Sequence, residues 1–103
     1  MDADTVALAE SQSALYSIFA NPKRVLILWS LAEDEKAVTA IAQAIDASLQ
    51  NTSQHLSLMK GAGILESRRD GQTIYYHIAD TFQHGRCRLL LEVLEMRSGE
   101  PTG

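Results

Sequence analysis

The chain has 103 residues, 46% of them hydrophobic and 21% charged, which suits one compact domain and is too short for two. No apolar run approaches the roughly 20 residues that span a bilayer, and a start carrying Asp2 and Asp4 without a basic segment does not read as a secretory signal. The single cysteine, Cys87, excludes an intrachain disulfide, so the cytoplasm is the expected compartment.

The net charge of −4 argues against a strong nonspecific binder of nucleic acid. The charge is unevenly spread, however. Residues 48–78 carry Lys60, Arg68 and Arg69 against Glu66 and Asp70, and they alone are not acidic in balance.

Residues 3–19 read as a helix, with Leu8, Ser11, Leu15, Ile18 and Phe19 near one face. Asn21-Pro22 is a helix-start signal, with asparagine as N-cap and proline at the first helical position. From Pro22 to Ala32 the sequence is apolar nearly all round, which predicts a central helix of the core. Glu33-Asp34-Glu35-Lys36 reads as a charged, solvated connection. Thr39 can cap a short helix over residues 40–45, with Ile41 and Ile45 buried. Asp46-Ala47-Ser48 is a turn, and Ser48 can cap the next helix. Two short helices joined by about three residues match a helix-turn-helix.

The second of them, ending at Gly61-Ala62-Gly63, carries the most information. Leu49, Thr52, Leu56 and Met59 recur at helical spacing as one stripe. Between them stand Gln50, Asn51, Ser53, Gln54, His55 and Ser57, and no acid. A helix that needs only solubility usually shows Glu and Lys there. Amides and hydroxyls both donate and accept, which is what reading base edges in a major groove requires. The expectation is a DNA recognition helix, and the alternative is a polar solvated face. His55 can instead bond a phosphate or a carbonyl.

After Gly63 the period changes. Ile74, Tyr76 and Ile78 alternate with Tyr75 and His77, and Asp70-Gly71 separates them from residues 65–69, a hairpin signal. A hairpin after a helix-turn-helix is a winged helix, and its wing would set Arg68, Arg69 and Gln72 against phosphate or in a minor groove. His77 is expected to face solvent without a role. A last helix, from Asp80 or Thr81 to about Arg97, carries Phe82, Leu89, Leu90, Val93 and Met96 on one stripe, widened by Leu91 and Leu94. With Leu8 and Leu15 of the first helix, Leu90, Val93 and Leu94 are the expected dimer interface. The fold is thus mainly α with a small β-hairpin, in the order α-α-α-α-β-β-α. It forms one domain over residues 1–97, with 98–103 a disordered tail.

Taken together, Asn21-Pro22-Lys23-Arg24, Ser53-Gln54-His55-Leu56, Gly61-Ala62-Gly63-Ile64-Leu65 and Arg68-Arg69-Asp70-Gly71-Gln72-Thr73-Ile74-Tyr75-Tyr76 resemble the ArsR/SmtB family of bacterial winged-helix repressors. The resemblance covers roughly residues 10–95. It implies a homodimer that binds an imperfect palindrome in double-stranded DNA and is released by an effector at a second site. Its base-facing positions fall on Gln50, Asn51, Ser53, Gln54 and Ser57, with His55 as the family's histidine before a leucine. Thr39 and Lys60 fall within reach of phosphates, and Arg68, Arg69 and Gln72 on the wing. Gln72-Thr73-Ile74-Tyr75-Tyr76 and Ser53-Gln54-His55-Leu56 are similar to the subgroup that senses reactive sulfur or redox state. That subgroup uses one cysteine in the second helix and one in the last. Here Trp29 lies in the second helix, which leaves Cys87, flanked by Arg86 and Arg88, as a single-thiol candidate sensor.

No metal site and no cofactor are expected. His84 and Cys87 are three apart and can share a zinc ion only with ligands from elsewhere, and Phe82 stands where the family's metal-binding histidine would be. An enzyme is not expected either, since there is no phosphate loop, carboxylate pair or nucleophile with an oriented base. The rival from another class is a winged helix used for protein contact, with a weakened DNA face. The effector, operator and regulated genes are not legible in the sequence.

Overall fold

The computed structural model describes residues 1–80 of the chain. Its elements run α1 (Ala3–Phe19), α2 (Pro22–Leu31), β1 (Lys36–Ala37), α3 (Val38–Ile45), α4 (Leu49–Gly61), β2 (Leu65–Asp70) and β3 (Thr73–Ile78). The last helix and the tail expected from the sequence lie outside the described residues. So do Leu90, Val93, Leu94 and Cys87.

Local chemistry sets most of the boundaries. The Asp2 carboxylate accepts from the Thr5 backbone N–H at 2.8 Å and caps α1. Asn21 accepts from Arg24 N–H at 3.3 Å, and Pro22 opens α2 where no amide donor is needed. Ser48 caps α4 by accepting from Asn51 N–H at 3.1 Å. Both helices of the helix-turn-helix end the same way. Ala47 N–H reaches Ala42 O across a left-handed Asp46, and Ile64 N–H reaches Met59 O across a left-handed Gly63. These are Schellman closures, which satisfy carbonyls that a helix end otherwise leaves bare. At Asp46, φ is 55°, a conformation that aspartate tolerates better than most side chains.

The sheet has three strands in the order β1-β3-β2, all antiparallel. β1 corrects the sequence expectation. The charged stretch ends in an edge strand that pairs Lys36 with Tyr76 and Ala37 with Tyr75. The Lys36 ammonium donates to the Ser30 carbonyl and to Asp34, so the loop is tied down at both ends. The β2–β3 turn is Gly71-Gln72, one residue later than expected. Only its first residue has a positive φ, as a II′-type turn demands.

One core joins every layer: Ile18 from α1, Ile27, Leu28 and Leu31 from α2, Ile41 and Ile45 from α3, Leu56 and Met59 from α4, then Ile64, Leu65 and Ile78. α2 is not buried all round, however. Leu26 is exposed, and Val25, Leu26 and Trp29 line a groove with Phe19 and Pro22. Thr52 is the one polar side chain fully buried among the described residues, and its hydroxyl has no hydrogen-bond partner. An unpaired hydroxyl in an apolar core is destabilising. Thr52→Val, which keeps the shape and removes the hydroxyl, should therefore raise stability by about 1 kcal/mol in urea unfolding; a loss of that size would reveal a bond to the hydroxyl.

Candidate nucleic-acid interface

α4 is oriented by what it buries. Thr52, Leu56 and Met59 point into the core, each worth about 1.5–3 kcal/mol for the apolar pair. Helical geometry then turns Gln50, Gln54 and Ser57 to the opposite side, with Asn51 and Ser53 on the flanks. All five are exposed. Leu49 does not join the buried stripe as expected. It lies in the first turn, beyond the edge of the core, and is 53% exposed.

A lysine from α2 holds the turn between α3 and α4. Lys23 Nζ donates to Ile45 O at 2.6 Å and to Asp46 O at 3.0 Å, the carbonyls at the end of α3. A cation there also suits the negative end of the helix dipole. Lys23 and Arg24 thus sit beside His55, which is half-buried. Burial, then the charges of Arg24 and Lys23, hold the His55 imidazole below its ordinary value of 6.5. At neutral pH the ring is uncharged.

Thr39 does not cap α3. Ala37 occupies the cap position without a side-chain bond, and Thr39 is exposed within the first turn. It borders two open grooves. One lies between α3 and the start of α4, lined by Thr39, Gln43, Ser48 and Leu49. The other runs to the wing, lined by Val38, Thr39, Gln72 and Ile74. The structure thereby gathers α4, Thr39 and the wing tip along one side. Gln43 and Leu49 belong to this surface and were missed in the sequence, where Gln43 had no spacing signal and Leu49 matched the core period.

The two wing arginines are not equivalent. Neighbouring strand residues point to opposite faces. Arg69 shares a face with Ser67 and the buried Leu65, and Ser67 accepts from Lys60 Nζ of α4 at 2.7 Å. Arg68 lies on the other face, 4.6 Å over the Tyr75 ring, and donates to both oxygens of Glu35, at 2.9 and 2.8 Å from its Nε. The pair holds the Glu35 carboxyl below, and the Arg68 guanidinium above, their usual ranges. His77 is half-buried rather than fully solvent-facing, with Nε2 3.3 Å from Glu66.

Such a face, an amide-rich helix beside a hairpin, defines a winged helix-turn-helix. Comparison with known proteins agrees. The helix-turn-helix domain family matches residues 19–68. Nodulation protein NolR of Rhizobium meliloti is 47% identical over 68 residues, 66% of this chain and 56% of that protein. The crystal structure of NolR from Sinorhizobium fredii superposes with a TM-score of 0.78 at 36% identity, covering 93% of this chain and 92% of that one. The homodimeric winged helix-turn-helix DNA-binding domain of Mb0332 from Mycobacterium bovis gives 0.78 at 32% identity, covering 95% and 88%. The chain belongs to the ArsR family of winged helix-turn-helix regulators. It spans little more than half the length of the Rhizobium meliloti relative. Among the described residues no helix is long and apolar enough to cross a membrane.

The state of His55 yields a test. Because its value is depressed on folding, the native protein binds fewer protons than the unfolded chain just below pH 6.5. The stability this confers is fully present above 6.5 and is lost as pH falls through the native value. The thermal midpoint should therefore drop as pH is lowered from neutral through 6.5 and below, and His55→Gln should make that drop shallower. An unchanged pH profile in the variant would remove His55 as the cause.

Proposed function

We propose that this chain is a sequence-specific DNA-binding transcriptional regulator, a homodimeric repressor released from an imperfect palindrome by an effector. The observation that carries the reading is the acid-free face of α4, exposed along its length and opposite a fully buried stripe. Gln50, Asn51, Ser53, Gln54 and Ser57 would read base edges, and Leu49 would add contact with a thymine methyl. Thr39, Lys60, Arg69 and Gln72 would touch the backbone. His55, neutral and flanked by Lys23 and Arg24, would act on a phosphate or as a brace rather than on a base. Arg68 is taken up by Glu35 and contributes less than the sequence suggested.

The second copy would dock on α1. Val6, Leu8 and Tyr16 are exposed there, Leu8 at 62%, which is much apolar surface for one helix to leave in water. Leu15 is half-buried and already packs against the core, so its share in the seam is smaller than expected. The effector is unassigned, and Cys87 stays a candidate single-thiol sensor.

Fluorescence anisotropy with a duplex from the promoter of the chain's own gene tests the reading. Asn51→Ala with Gln54→Ala should relax sequence preference, at about 1–3 kcal/mol per lost bidentate base contact. Unchanged preference would place the reading surface elsewhere, and a wild type without salt-sensitive, selective binding would favour a protein-contact module. Leu8→Glu should give monomers in sedimentation while leaving the far-UV spectrum intact, since Leu8 lies outside the core; a persisting dimer would reject α1 as the seam.

A further inference from the structure

Glu35 stands just ahead of β1, 33 residues from its partner in the chain, and its carboxylate takes the Arg68 guanidinium in a forked grip. A carboxylate and a phosphate present the same pair of oxygens to that fork, and arginine binds either one bidentately. Tyr75 lies under the guanidinium, its ring centroid 4.6 Å from Cζ. The pair is half-open to water, with side-chain exposures of 49% for Arg68 and 35% for Glu35, so a competing anion can reach it. Lys36 anchors the Glu35 loop through Ser30 and Asp34, which keeps the carboxylate at the wing.

From this geometry we infer that Glu35 is an internal stand-in for a DNA phosphate. It occupies Arg68 in the free protein and so limits the wing's grip on the backbone. The inference rests on the DNA-binding reading of the same face. A guanidinium already neutralised by a carboxylate displaces no counterion from DNA, so it adds nothing to the salt dependence of binding. Freed from Glu35, it would add one phosphate contact. Because that contact is blind to sequence, Glu35 weakens hold on all DNA while leaving base reading untouched, and it thereby acts as an affinity-limiting residue.

The test is anisotropy across a salt series with Glu35→Gln, using the promoter duplex and an unrelated duplex of equal length. The slope of log affinity against log salt should steepen by about 0.9 on both, so that the variant loses about 3.5-fold more affinity than the wild type between roughly 50 and 200 mM salt. Glu33→Gln removes the same charge from the same loop without touching Arg68 and should leave the slope unchanged. Arg68→Ala in the Glu35→Gln background should abolish the gain, and Arg68→Ala alone, which bares the Glu35 carboxylate at the wing, should give no gain. A slope unchanged in Glu35→Gln, an affinity that falls, or a gain that survives without Arg68 would each overturn the proposal. If the wild type binds selectively through Asn51 and Gln54 while Glu35→Gln has no effect, this inference fails alone. If no form binds DNA, the DNA reading fails and this one with it.

Discussion

Burial of Leu56 and Met59 is the constraint on which the rest of the molecule depends. Both are fully enclosed in the one core that also draws residues from α1, α2, α3, β2 and β3. With those two positions fixed, α4 cannot rotate, and its amide face is set by geometry rather than by contacts of its own. The anchor reaches further. Gly63, left-handed at φ 81°, returns the chain so that Ile64 and Leu65 enter the same core. β2 begins at Leu65, so the hairpin is hung from the point that fixes the helix. Helix and wing therefore hold one relative pose without a separate joint.

Electrostatics are arranged locally within an acidic chain. The helix that faces outward is uncharged over most of its length. Cations sit around it: Lys23 at the end of α3, Arg24 beside His55, Lys60 against Ser67 and Arg69 on the wing. Several of these are already hydrogen-bonded inside the protein. What remains for a partner is modest, which fits a surface relying on base reading more than on general attraction to phosphate.

Much of this fold was legible in the sequence because its signals are local. Asp2 apart, the caps at Asn21 and Ser48, the glycine at the end of α4 and the wing's alternation all announce themselves within a few residues. What failed has several causes. β1 is two residues long and has no period to detect. Leu49 has the spacing of the buried stripe but lies past the edge of what it would pack on. Thr39 is a good capping residue at a position where the helix had already begun. The placement of Arg68 opposite Tyr75 needs the strand register, and the hold of Glu35 on Arg68 spans 33 residues. Pairing at that range leaves no mark in the sequence near either partner.

The alternation along β2 has an evolutionary corollary. Deleting a single position between Leu65 and Arg68 would invert the faces of the rest of β2. The arginine now restrained beside Tyr75 would swing to the helix side, and its neighbour would inherit the tether. A lineage could thus strengthen or slacken this clasp through a change of length, with no new side chain invented.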